Sequence, residues 1–87
     1  MVADSKKIMN LLKTARGQLD TVIKMAEEDR YCVDISTQLL AVEGLLNSAN
    51  KQIITGHLKN CVNNAETEKD RNEKIDELVN LMGKIMK

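Results

Sequence analysis

Between Val33 and Val62 apolar residues recur every three or four positions, through Ile35, Leu39, Leu40, Val42, Leu45, Leu46, Ala49, Ile53, Ile54 and Leu58. Neither a proline nor a cluster of turn-forming residues interrupts them. This is the period of a helix with one apolar face, and it predicts a single long helix over residues 32–63. Gly44 and Gly56 each cost about 1 kcal/mol relative to alanine in a helix interior, which softens the segment without breaking it.

Shorter amphipathic stretches flank it. Ile8, Leu11, Leu12, Ala15, Leu19, Val22 and Ile23 keep the same period, with Asp4 or Ser5 placed as N-cap. The run Glu27-Glu28-Asp29-Arg30-Tyr31 breaks it and predicts a turn. After the polar connector from Asn63 to Arg71, residues Ile75, Leu78, Val79, Met82, Ile85 and Met86 predict a third helix. The expected architecture is all-α, one domain over 1–87, with helices at about 4–28, 32–63 and 70–86. There is no internal repeat.

A chain of 87 residues buries a modest core, and protomers of this size often gain stability by self-association. Proline is absent and aromatic content is 1%, which agrees with helices rather than strands. The start of the chain has no secretory pattern, and no stretch is long and apolar enough to span a bilayer, so a cytoplasmic protein without membrane contact is expected. In a reducing cytosol two cysteines point to metal ligands, redox groups or packing residues rather than a structural disulfide.

Thirteen basic residues balance thirteen acidic ones. Zero net charge excludes a strongly basic protein that coats nucleic acid, so contact with DNA requires a local patch. One exists: Lys6, Lys7, Lys13, Arg16 and Lys24 face only Asp20 across residues 5–26. An enzyme is not expected. The single histidine has no nucleophile on its face other than a cysteine, and no glycine-rich phosphate loop or small-molecule substrate site is visible.

That cysteine is the feature with chemistry in it. His57 and Cys61 stand four residues apart on the long helix and can share one ion. Cys32 opens the same helix, 25 residues before His57, and at about 1.5 Å per residue the two are ~37 Å apart. They cannot meet within one chain. Two long helices packed antiparallel would bring Cys32 of one subunit beside His57 and Cys61 of the other, twice by symmetry. Two thiolates and an imidazole are a soft set that favours Cu(I), then zinc, and disfavours magnesium, calcium or manganese. Three ligands suit trigonal Cu(I) better than closed tetrahedral zinc. On spacing alone an inert buried cysteine and a solvated histidine remain open.

Several segments resemble the copper-sensitive operon repressor family. They are Leu12 through Asp20 (LKTARGQLD), Glu28 through Ile35 (EDRYCVDI), Thr37-Gln38, Ala41-Val42 and His57 through Val62 (HLKNCV), in the family's order and spacing. The resemblance covers roughly residues 8–82. It implies a three-helix protomer, an antiparallel four-helix dimer core and a dimer-of-dimers tetramer. It further implies that the metal-free protein binds operator DNA and that Cu(I) lowers that affinity. Nickel and cobalt sensors of the family carry a histidine where Cys61 stands, formaldehyde sensors lack the second cysteine and persulfide sensors lack the histidine. Cys32, His57 and Cys61 therefore resemble the copper branch.

Tyr31 and Glu77 match residues that surround the ligands in that branch. A ligating imidazole passes its second N–H to an acceptor that fixes the ring, so Glu77 would couple the site to the third helix. The sequence departs from the family at Leu11 and Ser48, where basic residues usually stand. Lys6, Lys7, Lys13, Arg16 and Lys51 remain as candidate phosphate contacts, repeated by the oligomer. A thiol redox or persulfide sensor using Cys32 and Cys61, and a copper-binding protein that no longer binds an operator, are the alternative readings.

Overall fold

The structure, a computed structural model, describes residues 4–85, with the side chains of Cys61 and Val62 outside the description. Three helices follow one another: α1 (Ser5–Glu27), α2 (Cys32–Asn64) and α3 (Glu68–Ile85). Among the described residues there is no strand. Met86, expected in the third helix, lies outside the described residues, as do residues 1–3.

The ends of the helices are set by local hydrogen bonds. The Asp4 carboxylate caps α1 by accepting from the Lys7 N–H at 3.2 Å, satisfying a donor that has no partner inside the helix. At its far end the Arg30 N–H donates to the Met25 carbonyl at 3.0 Å and the Asp29 N–H to the Ala26 carbonyl at 3.1 Å. This crossed pair is a Schellman motif, and it requires a left-handed residue, here Asp29 at φ 54°. The Tyr31 carbonyl accepts the first bonds of α2, from Asp34 and Ile35, so the chain turns within four residues. In α3 the Thr67 hydroxyl accepts from the Asp70 N–H at 3.0 Å. That cap starts the helix at Glu68, two residues earlier than its apolar period indicates.

α1 packs on α2, and α3 packs on the later part of α2; α1 and α3 do not touch. The core between α1 and α2 is built on Ala15, Val22 and Val42, with Ile35 and Leu45 against it. Ile8, Met25, Ile54 and Leu78 complete the buried set.

The result is a single layer. The molecule measures 56 × 27 × 12 Å, and 12 Å is about the thickness of one helix with its side chains. Its radius of gyration is 17.1 Å, where a compact domain of this length would have about 12 Å. One layer leaves part of each apolar stripe uncovered, since an amphipathic helix buries its whole stripe only against a second layer. Leu12, Leu19, Ile23, Leu39, Leu40, Leu46, Val79 and Met82 are accordingly exposed. The apolar stripe on α1 is wider than α2 covers: Ile8, Ala15 and Val22 are buried, while Leu12, Leu19 and Ile23 on the flank are not.

Candidate metal centre

α2 is continuous from Cys32 to Asn64, so the separation of its candidate ligands follows from helix geometry. Cys32 and His57 lie ~37 Å apart along the axis. At about 100° per residue they also lie within about 20° of each other around it, and the Cys61 position falls about 20° to the other side. All three positions therefore share one line along α2. The Cys61 side chain is outside the described residues. Cys32 is exposed, at the first turn of α2, and not in a disulfide; His57 is exposed as well.

Among the described residues no three His, Cys, Asp or Glu side chains gather where they could hold a metal ion. Within a protomer the ligand line has two ends and no centre. Between those ends the same face carries Leu39 and Leu46, both exposed. Beside it, a shallow groove of about 220 Å³ between α1 and α2 is lined by Leu12, Ala15, Arg16, Leu19, Val42 and Leu46. Cys32, His57 and this uncovered apolar surface thus sit on one side of the layer.

Tyr31 immediately precedes Cys32 and is 68% exposed. Glu77 is exposed on α3, one residue before the buried Leu78. Within the protomer no hydrogen bond joins either to another described side chain.

The basic residues divide into two groups. On α1, Lys6, Lys13 and Lys24 lie within about 20° of one line, on the side opposite the buried Ile8, Ala15 and Val22. Lys7 and Arg16 stand on its two flanks. Leu11, where the family usually has a basic residue, is half-buried toward α2. Ser48 is exposed on α2. Lys51 belongs to neither patch. It projects about 180° to 200° away from Val42 and Ala49, the α2 residues buried beneath α1, and so leaves the protomer on the side away from the α1 lysines. Sequence alone could not separate it from them, because charge counts carry no information about which side of a hairpin a residue occupies.

The protomer is thus a one-layer, all-helical chain with two soft candidate donors on one line of α2 and a basic row on α1. The chain belongs to the metal-sensitive transcriptional repressor family, whose profile matches residues 4–84. It is 43% identical over 79 residues to the copper-sensing transcriptional repressor CsoR of Mycobacterium ulcerans, covering 90% of this chain and 68% of that one. It is 33% identical over 84 residues to CsoR of Bacillus subtilis, covering 97% and 83%. Among solved structures it is similar to the copper-sensing repressor CsoR with Cu(I) from Geobacillus thermodenitrificans, at a TM-score of 0.80 and 31% identity, covering 100% of this chain and 95% of that one. The nickel-responsive regulator InrS superposes with a TM-score of 0.77 at 25% identity, covering 98% and 96%. The family consists of transcriptional repressors rather than enzymes.

Proposed function

We propose that this protein is a Cu(I)-responsive repressor, acting in the cytoplasm, that binds operator DNA when metal-free and releases it when copper occupies a site between two subunits. The observation that carries the reading is the alignment on α2. Cys32 and His57 lie on one helical line and too far apart to share an ion, and that line runs along the exposed apolar face. An antiparallel partner laid on this face brings Cys32 of one protomer to His57 and Cys61 of the other and covers Leu39 and Leu46 in the same step. The identity to copper-sensing repressors supports the choice of metal.

The donor set fits the ion. Two thiolates and one imidazole are soft, and three ligands satisfy a trigonal preference without a fourth group. Copper would supply a crosslink between subunits. The chain's own residues do the rest: Tyr31, beside Cys32, flanks the site, and Glu77 accepts the second imidazole N–H of His57, orienting the ring and tying it to α3. Movement of α3 then biases the DNA-binding state, and the coupling is reciprocal, because DNA must weaken copper binding by the factor by which copper weakens DNA binding.

Lys6, Lys7, Lys13 and Arg16, with Lys24 on the same row, form the phosphate-binding surface. Lys6, Lys13 and Lys24 lie on the outward side of α1 with Lys7 and Arg16 on its flanks, and each oligomer repeats them. The sequence carries no recognition-helix signature of a helix-turn-helix or a zinc finger, so shape and backbone recognition is the mode this surface fits. A mobility-shift titration of operator DNA under reducing conditions tests the function. The metal-free protein should bind and stoichiometric Cu(I) should release it; equal affinity in both states contradicts the proposal, and copper binding with no operator binding leaves a metal-binding protein.

The exposure of the Cys32 thiol supports a second reading, a thiol or persulfide sensor linking Cys32 and Cys61 across the interface. His57→Ala separates the two. Loss of a wild-type copper response in the variant supports the copper site, whereas a wild-type protein that ignores Cu(I) but releases DNA after oxidant or polysulfide treatment, as the variant then also does, favours the thiol sensor.

A further inference from the structure

Glu43 is an anomaly on α2. It lies about 20° from the ligand line, and its neighbours three and four residues away are Leu39, Leu40, Leu46 and Asn47. A carboxylate thus stands in the middle of the exposed apolar stripe, beside Leu40, which is 63% exposed. Among the described residues it makes no ion pair, the pair observed being Arg30 with Glu28 on the exposed turn. A second layer laid on this stripe would desolvate the carboxylate, which is costly unless a cation meets it.

The ligand alignment fixes what it meets. If Cys32 of one subunit lies level with the midpoint of His57 and Cys61 of the other, the two-fold axis passes between Leu45 and Leu46, and Glu43 lies level with Ser48 of the partner subunit. α2 carries two cations, Lys51 and Lys59. Lys51 is three residues from that level, ~5 Å along the axis, and Lys59 is eleven, ~16 Å. The symmetry also places corresponding flanks of the two α2 helices on the same side of the interface. Glu43 and Lys51 are on the same flank, the one turned away from α1.

We infer that Glu43 of each subunit pairs with Lys51 of the partner subunit, in two symmetric ion pairs that set the register of the α2 interface and select a second copy of this chain as the partner. This rests on the antiparallel arrangement proposed above and adds to it the charges that fix its alignment. It also accounts for Lys51, an exposed lysine on the side away from the α1 basic row. Charges of this kind govern specificity more than raw affinity.

The test uses two full-length variants, E43K and K51E. The first carries a cation at both positions of the pair and the second a carboxylate at both. In a homodimer of either variant both pairs are therefore like-charged, whereas in a mixed dimer each pair joins a cation of one subunit to a carboxylate of the other. Native mass spectrometry of an equimolar, reduced, metal-free mixture, in which one variant is uniformly labelled with heavy nitrogen so that the dimers separate by mass, with circular dichroism to verify helicity, reads the outcome. The expected result is a ratio of mixed dimer to homodimers at least tenfold above the ratio that random pairing gives. Statistical mixing overturns the pairing while leaving the copper site standing, whereas a monomeric wild-type protein overturns both.

Discussion

Cys32 and His57 lie on one face of a single uninterrupted helix and at opposite ends of it, ~37 Å apart. In the proposed copper site, their separation makes a partner part of the chemistry. A ligand set divided between the ends of a rigid rod would be completed by a second rod running the other way, and the leucines between the ends would supply the surface along which the two rods meet.

The same surface should govern assembly. Leu46 lies near the expected two-fold axis and is exposed in the protomer, so Leu46→Glu places two carboxylates at the centre of the interface. Sedimentation equilibrium should show a shift from dimer toward monomer by at least tenfold in dissociation constant, with helicity largely kept. An unchanged dimer would place the interface elsewhere.

Core and interface residues should respond differently. Ile8 is fully buried within the protomer, and Ile8→Ala should cost about 2–5 kcal/mol by lost burial and cavity formation. Urea unfolding should show this loss at every protein concentration. Leu12→Ala, at an exposed position in the groove, should instead destabilise in a concentration-dependent way.

Asp29 holds a left-handed conformation at the end of α1, which an L residue adopts at a cost that glycine avoids. Asp29→Gly should stabilise the protein by about 0.5–1 kcal/mol, the relief of strain being partly offset by a more flexible unfolded chain. A lower urea midpoint for the variant would contradict this account of the turn.

On the DNA side, the outward row on α1 should act through phosphates. Lys13→Ala should weaken binding to operator and unrelated DNA alike and reduce the slope of log affinity against log salt by about 1 for each copy in contact. Lys51→Ala, projecting from the other side of the protomer, should leave that slope unchanged.

Much of this was legible in the residues. The three-helix order follows from apolar periods and from a turn whose polar run ends at Tyr31, and the ligand split follows from the distance between Cys32 and His57. The ends of α3 were less legible, because the Thr67 cap acts through one hydroxyl that the apolar period does not register. What the sequence could not separate was the two uses of an apolar helix face. Ile8, Ala15 and Val22 are indistinguishable by composition from Leu12, Leu19 and Ile23, yet the first group is buried in the protomer and the second is left exposed. The position of Lys51 was hidden for the same reason, since a charge is assigned to a surface only once the packing direction of its helix is known.

Subunit complementation tests the central claim most directly. Cys32→Ser leaves a protomer with His57 and Cys61, and the double variant H57A/C61S leaves one with Cys32. Each alone should fail to hold Cu(I) against a chelator that the wild-type protein outcompetes. Mixed and exchanged, the two should form dimers carrying one site of wild-type affinity, assembled from the intact halves. A mixture that binds no more copper than its separate components would show that the metal is not held between subunits.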